Sequence, residues 1–147
     1  MPDTIVAGSD HAGRTMRAEA ARVARERGFE VEDLGPFSDG SVDYPDYARL
    51  VGEAVVAGRA RFGLLVCGTG IGMSIAANKV KGVRAAHCGS ELEARMARAH
   101  NDANVLCLGE RVLGLALGAA IVKAFLEQPF EGGRHQARVD KIRAMER

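Results

Sequence analysis

Cys67 stands immediately before a glycine-rich loop, in the stretch "LLVCGTGIGMSIAANK" from Leu64 to Lys79. Gly68, Gly70 and Gly72 are spaced G-x-G-x-G, one residue short of the dinucleotide pattern G-x-G-x-x-G. No Gly-Lys-Ser/Thr closes the loop as in a P-loop, so a nicotinamide or ATP site is disfavoured. Such a loop offers successive backbone N–H groups at a helix start, with no Cβ to obstruct an oxygen-bearing ligand. Its occupant is either a resident phosphate or an oxyanion that develops during a reaction. A thiol beside a helix N-terminus has its thiolate favoured, with a pKa lowered from about 8.5 towards neutrality, and so can act as base or nucleophile. Packed alone, the same cysteine would be a small buried hydrophobe.

Three other groups have suitable chemistry. "GSDHAG" presents Asp10 and His11 after a first apolar run; alone, Asp10 reads as a helix cap and His11 as a surface histidine. "RAHNDANV" places His100 and Asn101 at the end of a helix, on the same side as Cys67 only if the chain turns back early. Arg134 and Arg138 stand four apart on one helical face, where two guanidiniums can hold a phosphate; the plainer reading is a solvated basic face.

These residues need a scaffold. Five short β-branched and apolar runs, "TIVAGSD", "FEVEDLG", "FGLLVCG", "VRAAHC" and "VLCLG", predict five strands. Helical spacing of Tyr47, Leu50, Val51, Ala54 and Val55, with Pro45 near the start, predicts a helix after the second. Ser90 and Glu93 form a capping pair for another. Leu113, Leu117, Ile121 and Phe125 predict a fifth helix, and "EGGRHQARVDKIRAMER" a last, polar one. Continuously apolar strands alternating with helices imply a three-layer α/β sandwich, a parallel sheet with helices on both faces. The strand order expected for it is 2-1-3-4-5. The order then reverses between the first and third strands, where Asp10, His11, Cys67 and Thr69 should converge.

The 147 residues suit a single domain, 1–147, around one core. Apolar residues make up 47% and charged residues 27%, and a net charge of +1 gives no basic excess for nucleic acid or anionic membrane. The longest apolar stretch, Val112 to Val122, is too short to span a bilayer, and no secretion signal is recognisable, so a cytoplasmic protein is expected. Cys67, Cys88 and Cys107 lack zinc-site spacing and should be free thiols.

Taken in order, "GSDHAG", "DYPDYA", "CGTGIGMSIAANK", "GVRAAHC", "RAHNDANVLCLGERV" and "FEGGRHQARV" resemble the type B ribose-5-phosphate isomerases from Gly8 to Val139. That family also includes galactose-6-phosphate and allose-6-phosphate isomerases. The resemblance implies a Rossmann-like subunit and at least a homodimer, with tetramers left open. It also implies active sites completed by residues of both subunits and no metal or organic cofactor. By matching positions, Cys67 is the base moving a proton between C2 and C1 of the open-chain sugar phosphate, supported by Thr69. The amides of Gly68, Thr69, Gly70, Ile71 and Gly72 would stabilise the enediolate. His100 would open the furanose ring with Asn101 beside it, and His11, Arg111, Arg134 and Arg138 would bind phosphate while Asp10 contacts sugar hydroxyls. One branch of the family replaces the cysteine and uses a glutamate after the loop. Here that position is Met73, which cannot accept a proton.

The expected activity is interconversion of ribose 5-phosphate and ribulose 5-phosphate. Alternatives are the same chemistry on a six- or four-carbon sugar phosphate, a non-catalytic sugar-phosphate-binding subunit, and thiol redox sensing by Cys67.

Overall fold

The computed structural model describes residues 3–146; residues 1, 2 and 147 of the expected domain lie outside the described residues. All five expected strands form: β1 (Thr4–Ser9), β2 (Glu30–Asp33), β3 (Phe62–Cys67), β4 (Ala85–His87) and β5 (Val105–Gly109). They pair in parallel as one sheet. Between and after them come α1 (Arg14–Glu26), α2 (Tyr44–Val56), α3 (Ile71–Ala77), α4 (Glu91–Asn101), α5 (Leu115–Glu127) and α6 (Arg134–Ala144). A 3-10 turn, His11–Gly13, leads into α1.

The strand order is β2-β1-β3-β5-β4, so the expected 2-1-3-4-5 is corrected by an exchange of the last two. Burial accounts for the exchange. Every residue of "VLCLG" in β5 is buried, as an interior strand requires. β4 has three residues, all at least partly exposed, which suits an edge. The exchange brings Gly109 directly opposite Cys67, so the chain leaving β5 runs beside the glycine loop.

Side chains alternate across each strand and divide the core in two. Leu64 and Val66 of β3 face Met16, Ile121 and Phe125 on the side of α1, α4 and α5. Leu65 and Cys67 face Val51 and Met73 on the side of α2 and α3. Each large aliphatic side chain so enclosed contributes about 1.5–3 kcal/mol relative to exposure.

The helices appear where periodicity predicts them, with differences in the buried face. In α2, Val51, Ala54 and Val55 are buried but Leu50 turns to solvent. Leu113 is buried just ahead of α5, and Leu117 is exposed. The inner face of α5 is formed by Gly118, Ile121, Val122, Ala124 and Phe125. Gly118 leaves room there for Met16, whose flexible sulfur end would have to move to admit a Cβ. Ser90 caps α4 by accepting from the Glu93 N–H at 3.1 Å, and Glu93 Oε1 accepts from Gly89 N–H, one residue earlier than in the usual reciprocal pair.

Candidate functional site

Three chain segments meet at the carboxyl ends of β1, β3 and β5. Gly13 lets the turn after β1 press against β3, since a Cβ there would lie 2.6 Å from Val66 O. Gly109 plays the same part for β5, where a Cβ would lie 2.4 Å from Thr69 O. The Glu110 N–H donates to Cys67 O and the Arg111 N–H to Gly68 O, both at 2.9 Å. Glu110 Oε1 also accepts from the Met16 N–H at 2.7 Å, tying this loop to α1.

The cavity formed there is lined by Asp10, Tyr44, Cys67, Gly68, Thr69, Ile71, Gly72, Ile75 and Arg111, and encloses about 430 Å³. Cys67 is only 5% exposed. Its Sγ accepts the Gly70 N–H at 3.1 Å. Gly70, at φ +81°, reverses the chain into α3, a backbone conformation that disfavours residues bearing a Cβ. Thr69 Oγ1 accepts from the Ile71 N–H at 3.2 Å, so the hydroxyl is held at the loop's outer side. Arg111 lies over Gly68, with Nη1 3.1 Å from where a Cβ would be.

Asp10 has a local role as well, accepting the Ala12 N–H at 2.9 Å and capping the 3-10 turn. His11 is next to it but does not line this cavity; its Nδ1 accepts from Val42 N–H at 3.2 Å. Of the four residues expected to converge, Asp10, Cys67 and Thr69 line one cavity and His11 flanks it. Met73, at the position of the alternative base, is fully buried in the core beneath the loop. Tyr44 was legible only as part of the "DYPDYA" motif. It reaches the site because Gly72 has no Cβ, which would stand 2.6 Å from the Tyr44 ring.

The second half of the expected site lies elsewhere in the chain. From β4, α4 runs back to the amino edge of the sheet, where Asn104 N–H donates to Arg84 O and Gly63 N–H to Asn104 O. His100 and Asn101, in its last turn, are therefore at the edge opposite Cys67. The Glu131 N–H donates to Ala99 O at 3.0 Å and brings the start of α6, with Arg134 and Arg138, to the same end. Both arginines are exposed.

His100 stacks on His135 there, with centroids 4.1 Å apart and planes 11° from parallel. Glu131 Oε1 is 3.9 Å from His100 Nε2 and 3.6 Å from His135 Nε2. Ligand atoms of these three residues lie within 4.8 Å of one another. Near-parallel rings direct their in-plane lone pairs side by side, so the stack is poorly arranged for a tetrahedral metal.

The three cysteines are free. Burial pushes the Cys88 thiol up to about 12, with the Glu93 charge adding to it, and burial pushes Cys107 up as well. Among the described residues, no helix is long and apolar enough to cross a membrane.

The profile of the ribose/galactose isomerase family matches residues 5–142. Ribose-5-phosphate isomerase B of Escherichia coli is 49% identical over 97% of this chain and 95% of its own. A putative sugar phosphate isomerase of Bacillus subtilis is also 49% identical, over 94% of this chain and 93% of its own. The type B ribose 5-phosphate isomerase of Trypanosoma brucei superposes with a TM-score of 0.96 at 50% identity, covering 99% of this chain and 100% of that one. The Clostridium thermocellum ribose-5-phosphate isomerase B gives 0.94 at 51% identity, over 97% and 96%.

Proposed function

The chain belongs to the ribose/galactose isomerase family, and from that premise we propose that it interconverts D-ribose 5-phosphate and D-ribulose 5-phosphate with Cys67 as the base on carbon. The observation that carries this reading is a cavity in which one thiol, a run of loop amides, Asp10 and Arg111 converge. Aldose–ketose isomerisation moves a proton between adjacent carbons and needs a base on carbon with donors on the developing enediolate. Cys67 takes the C2 proton and returns it to C1, while a proton passes from O2 to O1. The Gly70 N–H is held by Cys67 Sγ and the Ile71 N–H by Thr69 Oγ1, so the amides of Gly68, Thr69 and Gly72, with the Thr69 hydroxyl, serve the oxygens, and Asp10 accepts from sugar hydroxyls.

Ribose 5-phosphate is predominantly a furanose, so its ring opens first. The O1 hydroxyl proton moves to the ring oxygen, the C1–O4 bond breaks and the C1 carbonyl forms. An imidazole can accept a proton from one oxygen and donate to the other, and His100 is assigned to that transfer. Arg134 and Arg138 grip the phosphate with His11 and Arg111, and binding energy gained there positions the reacting carbons.

Because His100, Asn101, Arg134 and Arg138 sit at the sheet edge away from Cys67, a second copy of the chain supplies them, and the working unit is a homodimer with shared sites. Its three free thiols suit a reducing compartment such as the cytoplasm.

Mixing two inactive variants tests this arrangement. Cys67→Ala and Arg138→Ala, each inert alone, should regain about a quarter of wild-type activity when refolded together, since half the dimers are mixed and each carries one intact site. No recovery would mean that each chain uses its own residues. Six-carbon substrates are the second reading, favoured by the galactose in the family's description. A kcat/KM comparison of ribose, allose and galactose phosphates decides between them.

A further inference from the structure

Resting on the reading that His100 opens the furanose ring, we propose that His135 is the positioning residue for that step, a buried imidazole platform that sets the plane of the His100 ring. His100 stands in the last turn of a helix with its side chain 37% exposed, and among the described residues its ring makes no hydrogen bond that would fix its orientation. His135 is 5% exposed, in the first turn of α6 between the two phosphate-binding arginines. The near-parallel stack at 4.1 Å covers one face of His100 with an aromatic surface. It also couples that ring to Arg134 and Arg138, which hold the far end of the same substrate. Proton transfer between O1 and O4 succeeds only if the imidazole nitrogen lies in line with both oxygens, a requirement of angle as much as distance.

Packing alone does not account for a histidine here. Its buried Nε2 has no hydrogen-bond partner among the described residues, and an unsatisfied buried polar atom costs stability that a plain aromatic ring of similar shape would not. What the ring supplies at that cost is an aromatic face beside a neighbour that changes charge. When His100 takes up the O1 proton, an uncharged ring beneath it stabilises the imidazolium through its face, and Glu131 attracts the same charge from the side. A second imidazolium at that distance would oppose the transfer. Burial foremost, then the charges of His100 and Arg134, with Arg138 contributing, hold His135 below the ordinary histidine range against the opposing pull of Glu131, which keeps it uncharged at neutral pH.

The test separates ring opening from proton transfer at carbon. Ribulose 5-phosphate cannot close a furanose, because the hydroxyl that would attack C2 carries the phosphate, so exchange of its C1 hydrogen with D2O requires Cys67 but no ring step. In His135→Ala, kcat on ribose 5-phosphate should fall about tenfold or more while C1 exchange stays within about twofold of wild type. His135→Phe keeps an aromatic platform and should recover ribose turnover to within about threefold. Equal loss of both reactions in the alanine variant without rescue by phenylalanine, or unchanged ribose turnover in the alanine variant, overturns the proposal. His100→Asn serves as control and should separate the same two rates. If it does not, the ring-opening assignment of His100 fails and takes the proposal with it. If it does and the His135 variants do not, the proposal alone fails.

Discussion

The Gly70 N–H donates to Cys67 Sγ at 3.1 Å across a left-handed turn, so one glycine both places the sulfur and starts α3. Gly70→Ala tests that dependence. An alanine at φ +81° costs about 1–2 kcal/mol in backbone strain. Its Cβ would also meet His87 Cδ2 at 2.7 Å and the Leu108 carbonyl carbon at 2.9 Å, so the loop must shift. Isomerase kcat should fall about 100-fold or more, as expected for displacement of about 1 Å near the chemistry, with a lowered melting temperature. Full activity at a normal melting temperature would show that the turn does not hold the thiol in place.

Cys67 should be chemically distinct from its two neighbours. It lines an open cavity, whereas Cys88 and Cys107 are buried in the core with thiols pushed well above neutral titration. Limited iodoacetamide at pH 7.5 should therefore modify Cys67 first, in step with loss of activity, and ribose 5-phosphate should protect it. Peptide mapping that finds Cys88 or Cys107 labelled ahead of Cys67 would contradict the assignment. Cys67→Ala should lower isomerisation about 100- to 10,000-fold, the span that a general base contributes.

β1, β3 and β5 were legible because their residues are apolar on both sides, the mark of strands covered by helices on each face. Their spatial order was less legible. Order depends on which of two late strands is buried, and β4, with its partly exposed "AAH", loses the interior place to β5. Asp10, Cys67 and Thr69 could be brought together from the position of strand ends alone. Arg111 could not, since it reaches Gly68 only because β5 pairs with β3. The path of α4 was the other undetermined quantity: helical periodicity runs unbroken to Asn101, and that length carries His100 to the far edge. His135 gave no signal of its own, because a histidine between two arginines reads as part of a solvated basic face until its burial against His100 is seen.

Arg17 ties the loop after β2 to the end of β1, one residue from Asp10. Its Nη1 donates to Ser9 Oγ at 2.7 Å, its Nη2 to Pro36 O at 3.0 Å, and its Nε lies 3.1 Å from Asp33 Oδ1. Removing one member of a buried charged network costs about 3 kcal/mol, because the remaining groups lose their partners. Arg17→Met, which keeps the aliphatic stem, should lower stability by about that amount in urea unfolding. KM should also rise as the Asp10 segment loosens. A stable variant with unchanged KM would mean that the β1 end is held by its backbone bonds alone.

The lowered titration of His135 also makes a prediction about stability. A histidine whose folded pKa lies below its unfolded value of about 6.5 binds fewer protons when folded, so the unfolded chain gains stability as the pH drops. Stability is then fully present above about pH 6.5, declines as the pH falls towards the lowered folded value, and levels off beneath it. Burial is the main cause, with His100, Arg134 and Arg138 acting in the same direction and Glu131 against them. His135→Phe removes the titrating group but keeps the aromatic bulk. Its melting temperature relative to wild type should therefore increase as the pH is lowered from 7.5 to 5, whereas acid effects common to both proteins cancel in the difference. A difference that stays constant over that range would show that His135 titrates alike in the folded and unfolded chains, and that its ring is charged beneath His100 in weak acid as it would be in water.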